Sequence, residues 1–368
     1  MDTELMRQKL GLLTADGYSL EDLNSIISVE KHGSNALVKI YKAAFNMDIR
    51  EDISRQTQII AVDCGFDKAE IEYVEQEPRF ISRVGKVIAV MSGKGGVGKS
   101  MVASLTAVAL SRAGYRVGIL DADITGPSIP KVFGINGRPQ GNELGFLPLS
   151  SRTGIRIVSI NLLLEDDNNA VIWRGGMISK AISQFWTDVL WGNLDYLVVD
   201  LPPGTSDAPL TVMQMLPVSG VIMVSTPQGL TTMIVKKALN MVEKIGKKVV
   251  GLVENMSYIA LPDGRKLRPF GESQVEELRS MSGAPLLAVF PIDSEITVFA
   301  DSGNIENYIS NEFKAYSEAL LSAVSQLPIN EPEKALEVCD NSEAQEQGGC
   351  DSKSCQSCSS EKKAKHHN

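Results

Sequence analysis

The sequence predicts an α/β protein whose main domain is a doubly wound, mostly parallel sheet, and three observations carry that expectation. From residue 86 to 327, short apolar runs alternate with helical stretches. The runs are near-continuous in Val, Ile and Leu rather than alternating, as strands buried on both faces require. One strand-to-helix junction, "GKGGVGKS", is rich in glycine, and open parallel sheets bind their ligands beyond such strand ends.

Taken in order, residues 1–82 read as a small α/β unit. An amphipathic helical pattern is followed by a strand-like run "NALVKIYKAAF", a second helix in "REDISRQTQIIAVDCGF" and a strand-like run "AEIEYVEQE". Residues 83–327 form the main domain, with strands expected in "KVIAVMS", "RVGILDAD", "IRIVSI", "DYLVVDLP", "GVIMVSTP", "VVGLVENM" and "PLLAVFP". Residues 328–368 lose apolar periodicity and become polar and charged, the composition of a disordered tail.

Composition narrows the function. A net charge of −9 argues against a general nucleic-acid binder, which needs a basic surface. No apolar run reaches the length of about 18 residues needed to cross a bilayer, so no membrane partner is expected. The mixed, acidic start "MDTELMRQKLGLL" lacks the pattern of a secretory signal, so the expected location is the cytoplasm. Five cysteines in such a chain read as thiols or metal ligands rather than disulfides.

Residues 93–100, "GKGGVGKS", fit the phosphate-binding pattern G-x-x-x-x-G-K-[ST] in full, after a strand and before a helix. Gly93, Gly95, Gly96 and Gly98 let the backbone through Val97 curl so that its N–H groups face an anion. Lys99 is placed to reach the β- and γ-phosphates of ATP and Ser100 to ligate Mg²⁺. Lys94 is a second lysine inside the loop. Two acidic strand ends follow: "LDADITGPS" with Asp121 and Asp123, and "LVVDLPPGTSD" with Asp200. Phosphoryl transfer needs a metal, an oriented water and spread charge. Asp200 suits the metal's outer shell and Asp123 the water, while Asp121 serves either catalysis or a turn. Gly204 would let its loop approach the γ-phosphate.

Together "MSGKGGVGKS", "LDADITGPSIP", "VIWRGGM", "DYLVVDLPPGTSDAPLT", "STPQ" and "GLVENMSY" resemble the Mrp/ApbC family of iron–sulfur cluster carrier ATPases, within the MinD/ParA-like deviant P-loop class. The resemblance implies a homodimer that hydrolyses ATP slowly and passes clusters to apoprotein clients. It implies that Lys94 crosses the dimer interface to the partner's nucleotide, and that Asn255, Pro291 and Asp293 line the adenine pocket. Trp173 and Arg174 match the family's "WRGPM", with Gly176 in place of its proline, and receive no role. The first 82 residues are similar to a degenerate form of the family's N-terminal domain.

The pattern breaks after "ENMSY", where the resemblance implies C-P-x-C ligands for a [4Fe–4S] cluster bridging two subunits. Here Pro262 keeps its place, but Leu261 and Gly264 stand where cysteines belong, and neither ligates iron. Either the cluster is lost or it is held elsewhere. Cys350, Cys355 and Cys358 in the tail have the spacing of soft-metal ligands for an iron–sulfur cluster or zinc, and two tails supply four thiolates or more. His366 and His367 add possible ligands; Cys64 and Cys339 read as structural or incidental. The alternatives are a cluster-free regulatory or positioning ATPase of the MinD/ParA kind and a chaperone for one metalloenzyme. Lys236, Lys237, Lys244, Lys247 and Lys248 on one helix read as a solvated face rather than a basic patch.

Overall fold

The structure is a computed structural model that describes residues 2–330, apart from 16–17, 21–25, 42–46, 75–82, 124–125, 127, 140, 143–144, 160–181, 183 and 206. Trp173, Arg174, Gly176, Cys339, the three tail cysteines and both tail histidines therefore lie outside the described residues.

The first segment builds its own small core. Helix α1 (Thr3–Gly11) starts at Asp2, whose carboxylate accepts from the Glu4 and Leu5 N–H groups at 3.1 and 3.0 Å. Strands β1 (Ile26–His32) and β2 (Asn35–Tyr41) pair as an antiparallel hairpin. Helix α2 (Met47–Asp63) then crosses to β3 (Ala69–Val74), which lies parallel to β2. Met6, Leu10, Val38, Ile40, Ile53 and Phe66 pack between helices and sheet, and Cys64 is buried among them. Strand β1 is absent from the sequence-derived runs because its described side chains are exposed or half-buried, so it lacks an apolar signature.

All seven expected runs of the main domain form strands: β4 (Arg83–Ser92), β5 (Val117–Asp121), β7 (Arg156–Ser159), β8 (Asn193–Asp200), β9 (Val218–Ser225), β10 (Val249–Glu254) and β11 (Leu286–Val289). They are mutually parallel, and a two-residue strand β6 (Leu149–Ser150) adds antiparallel at one edge, giving the order β6-β7-β5-β8-β4-β9-β10-β11. Helices α3 (Lys99–Arg112), α4 (Ile129–Val132), α8 (Ser294–Asp301) and α9 (Asn311–Ser325) cover one face of the sheet. Helices α5 (Asp207–Met215), α6 (Gly229–Lys244) and α7 (Val275–Ser282) cover the other. From Val102 to Leu110 every residue of α3 is buried, because α3 sits between the sheet and α9.

Two contacts fix the end of the sheet opposite the glycine-rich loop. Buried Lys86 on β4 donates to the Val324 and Ser325 carbonyls at 2.9 and 3.3 Å, placing a cation at the C-terminus of α9. Burial holds the Lys86 ammonium below its ordinary pKa. Beyond α9, the Asn330 N–H donates to the Gly85 carbonyl at 2.6 Å and its amide to the Pro217 carbonyl at 3.1 Å.

Candidate functional site

The site forms where β4, β5 and β8 end together. Asp121 and Asp200 are register partners on adjacent strands, and Asp200 pairs with Val90 on β4. The loop from Gly93 to Gly98 leaves β4 and runs directly into α3, so the positive helix N-terminus opens on the same spot. Ser92 Oγ donates to the Lys94 carbonyl at 2.9 Å, and the Asn255 amide donates to the Val97 carbonyl at 2.9 Å. Gly98 has φ +83, and a Cβ there would lie 2.1 Å from Asn255 Nδ2, so no larger residue fits. The Gly204 N–H donates to the Ser92 carbonyl at 3.0 Å, which lays the 201–204 loop against the glycine-rich loop.

Lys99 is almost fully buried and joins the acids. Its Nζ lies 2.6 Å from Asp200 Oδ1, 3.3 Å from Asp123 Oδ2 and 3.4 Å from Ser100 Oγ. Asp200 is completely buried, and its second oxygen has no hydrogen-bond partner. Burial raises the Asp200 pKa, and Lys99 pulls it back.

Asp121 has a different task. Its carboxylate accepts from the N–H groups of Asp123, Ser128 and Ile129 at 3.2, 3.1 and 3.2 Å and from Ser159 Oγ at 3.2 Å. Of the two sequence alternatives for Asp121, these bonds are those of a turn former that seats Asp123. Burial, with Asp200 beside it, pushes the Asp121 pKa up to about 7, against the pull of the backbone donors.

The remaining expected residues are placed as follows. Lys94 is half-buried and donates to Gln228 Oε1 of its own chain, in the "STPQ" segment after β9. Asp293 uses one oxygen to cap α8 through Glu295 N–H at 2.8 Å, and accepts from Tyr308 OH on the other at 2.7 Å. Burial, helped by that pairing, holds the Tyr308 hydroxyl above its ordinary pKa. Pro291 is half-buried, two residues before Asp293.

With the loop, the paired aspartates and the parallel sheet in place, the comparison with protein families is decisive. Residues 83–327 match the ParA family, described as NUBPL iron-transfer P-loop NTPase. The chain belongs to this family. The iron-sulfur cluster carrier protein of Clostridium perfringens is 44% identical over 235 residues, covering 62% of this chain and 83% of that protein. The iron-sulfur cluster carrier protein of Synechocystis is 36% identical over 327 residues, covering 84% of this chain and 91% of that protein. That share exceeds residue 83 to the C-terminus, so the likeness reaches into the small first segment. A solved nucleotide-binding protein from Archaeoglobus fulgidus, in complex with ADP, is 44% identical with a TM-score of 0.56, covering 63% of this chain and 91% of that one.

Leu261 and Gly264 stand where the family resemblance implies cysteines. They sit in a hairpin of two short strands, Ile259–Ala260 and Lys266–Leu267. The Leu261 N–H donates to the Arg265 carbonyl and the Gly264 N–H to the Leu261 carbonyl, each at 2.9 Å. Gly264 has φ +82, and Asp263 accepts from Arg265 N–H at 3.0 Å, so "LPDGR" is a built turn of polar chemistry. Among the described residues no group of three or more His, Cys, Asp and Glu is placed to hold a metal ion, and no helix is long and apolar enough to cross a membrane. Of the five lysines expected on one helix, Lys236, Lys237 and Lys244 lie on α6, where Lys236 pairs with Glu277; Lys247 and Lys248 lie beyond it, Lys247 donating to the Val218 carbonyl at 3.1 Å, and Lys237, Lys244 and Lys248 are exposed.

Sequence reasoning missed Gln228 and Glu254. "STPQ" was the only signal for Gln228, and Glu254 read simply as the end of a strand. Glu254 is buried and accepts from Ser257 Oγ at 2.5 Å and Ser273 Oγ at 2.8 Å.

Proposed function

We propose that this chain is an ATP-hydrolysing carrier of iron–sulfur clusters, which it delivers to apoprotein clients as a homodimer. The observation that carries the nucleotide half is the buried Lys99, held between Asp123 and Asp200 at the foot of the glycine-rich loop. The backbone from Gly93 to Ser100 wraps the phosphates, Lys99 meets the β- and γ-oxygens, and Asn255 with Pro291 and Asp293 borders the base. Asp293's carboxylate is engaged by α8 and Tyr308, so the backbone around Pro291 offers the base its contacts. Asp123 orients the attacking water, and Lys94 supplies positive charge to the partner subunit's nucleotide.

The residues fit Mg²⁺. The unpartnered buried oxygen of Asp200 is an acceptor for a metal-bound water, and Ser100 Oγ stands beside Lys99. Held by Ser100 and, through water, by Asp200, Mg²⁺ would neutralise charge on the transferring phosphate. Water attacks the γ-phosphorus, the bond to the β-phosphate oxygen breaks, and ADP and phosphate leave.

The cluster is cargo, and a [4Fe–4S] cluster needs four thiolates. Leu261 and Gly264 supply none, so Cys350, Cys355 and Cys358 of two chains are the candidate ligands. The relatives named as cluster carriers support the reading. Anaerobic reconstitution with iron and sulfide tests it. The wild-type chain should gain bound iron, sulfide and a thiolate-to-iron absorption band, and C355S/C358S should lose them. A second reading, a cluster-free nucleotide switch, is favoured by the non-ligating hairpin; colourless protein that still dimerises with ATP would establish it instead.

A further inference from the structure

Three consecutive residues at the end of β10 face three different parts of the molecule. Glu254 points to the hairpin, Asn255 to the glycine-rich loop, and Met256 turns the chain between them with φ +56, the sole positive φ at a described residue other than glycine. Such a conformation is costly for a side-chain-bearing residue and persists where its surroundings over-determine it.

The surroundings here are specific. Ser257 precedes the hairpin, and Ser273 follows it. Both hydroxyls donate to the same buried carboxylate, one to each oxygen, at 2.5 and 2.8 Å. The Glu254 backbone carbonyl accepts from Phe290 N–H at 2.8 Å, and Ser257 N–H donates to the Phe290 carbonyl at 2.9 Å, so the pair is also locked to β11's exit. Its neighbour Asn255 donates to Val97 inside the phosphate loop. The chain is exposed over residues 262–273, and the Ser257 and Ser273 hydroxyls tie its two ends to Glu254.

We infer that Glu254 is a positioning residue that joins the phosphate loop to the 259–267 hairpin, so that nucleotide on the loop sets how firmly the hairpin is held. It works by fixing the reversal at Met256: with both feet bound to one carboxylate, any shift of Asn255 that follows Val97 moves the hairpin's base. A buried carboxylate with two hydroxyl donors is a short, stiff link, and removing the buried Ser257 donor leaves an unsatisfied oxygen. The inference rests on the loop being the nucleotide site, which the experiment measures separately.

Limited trypsin cleavage after Arg265 and Lys266 reports the hairpin, and a fluorescent ADP analogue with Mg²⁺ reports the loop. In the wild-type chain, saturating ADP should slow cleavage at these two sites severalfold. Ser273→Ala frees one foot: cleavage should rise by about tenfold and lose its response to ADP, while ADP affinity stays within about threefold of wild type. Glu254→Ala should do the same and also weaken ADP. Glu254→Gln, which keeps an acceptor for one serine and a donor for the other, should behave as wild type. A purely structural glutamate would raise cleavage without abolishing the ADP response. The inference is overturned if ADP protects the S273A hairpin as fully as the wild type, or if saturated wild-type protein shows no protection. Absence of ADP binding would instead overturn the nucleotide reading. Ser273→Ala decides alone if Glu254→Ala does not fold.

Discussion

Lys99 Nζ lies 2.6 Å from Asp200 Oδ1, with the lysine almost fully and the aspartate completely buried, and Asp123 Oδ2 completes the group at 3.3 Å. A buried cation between two carboxylates is worth little over an apolar replacement of the whole set, but removing one member exposes the others' repulsion and desolvation. Lys99→Met is therefore expected to cost about 3–5 kcal/mol of stability. Lys99→Met/Asp200→Asn should recover part of it, because one uncompensated charge goes with its partner. Urea unfolding of the three proteins measures both numbers. Equal stability for the single and double variants would show that Lys99 and Asp200 are not energetically coupled.

Asp123 is held by a loop, not by a strand. Its N–H is fixed by Asp121, and its carboxylate faces Lys99. A water-orienting role predicts that Asp123→Asn lowers turnover by about 10²–10⁴-fold. Nucleotide affinity should change much less, since the P-loop backbone and Lys99 remain. Single-turnover ATP hydrolysis beside equilibrium binding separates the two effects; matched losses in both would make Asp123 a binding residue.

Lys86 offers a stability test away from the site. It is a buried lysine with two backbone carbonyls as acceptors, at the last turn of α9. Lys86→Met keeps the apolar stem and removes the charged donor, so the Val324 and Ser325 carbonyls lose the cation at the helix end. The expected loss is about 1–3 kcal/mol, read as a lower urea midpoint with unchanged ADP affinity. The reference is Lys237→Met on the exposed face of α6, which should change stability by less than about 0.5 kcal/mol.

Much of this molecule was legible because its signals are local. Seven strands announced themselves as buried apolar runs, and the phosphate loop, Asp121, Asp123 and Asp200 sat at strand ends where a parallel sheet places ligands. Strand β1 escaped because it is half-exposed at the edge of a three-stranded sheet, and β6 because two residues carry no period. Gln228 and Glu254 were illegible for another reason. Gln228 meets Lys94 from 134 residues away, and Ser273 meets Glu254 from 19. Their partners are set by the crossing of loops above the sheet, which no spacing rule encodes. The hairpin turn was half legible: the sequence showed that Leu261 and Gly264 cannot ligate iron, but not that Gly264 is needed at φ +82.

The Lys94–Gln228 contact frames the last prediction. Within one chain the Lys94 ammonium is held by a neutral amide oxygen, a weaker partner than a phosphate or carboxylate. A lysine held this way is free to exchange its acceptor for the partner subunit's nucleotide when two chains meet. Lys94→Ala is therefore expected to leave ADP binding to the single chain within about threefold of wild type, because Lys99, Ser100 and the loop backbone are untouched. It should abolish the ATP-dependent rise in mass on size-exclusion chromatography with light scattering, and turnover should fall with it. Gln228→Ala tests the other side: it removes only the resting acceptor, so dimerisation should persist or strengthen. If Lys94→Ala dimerises normally with ATP while ADP binding falls sharply, the lysine serves its own nucleotide and the cross-subunit role is wrong.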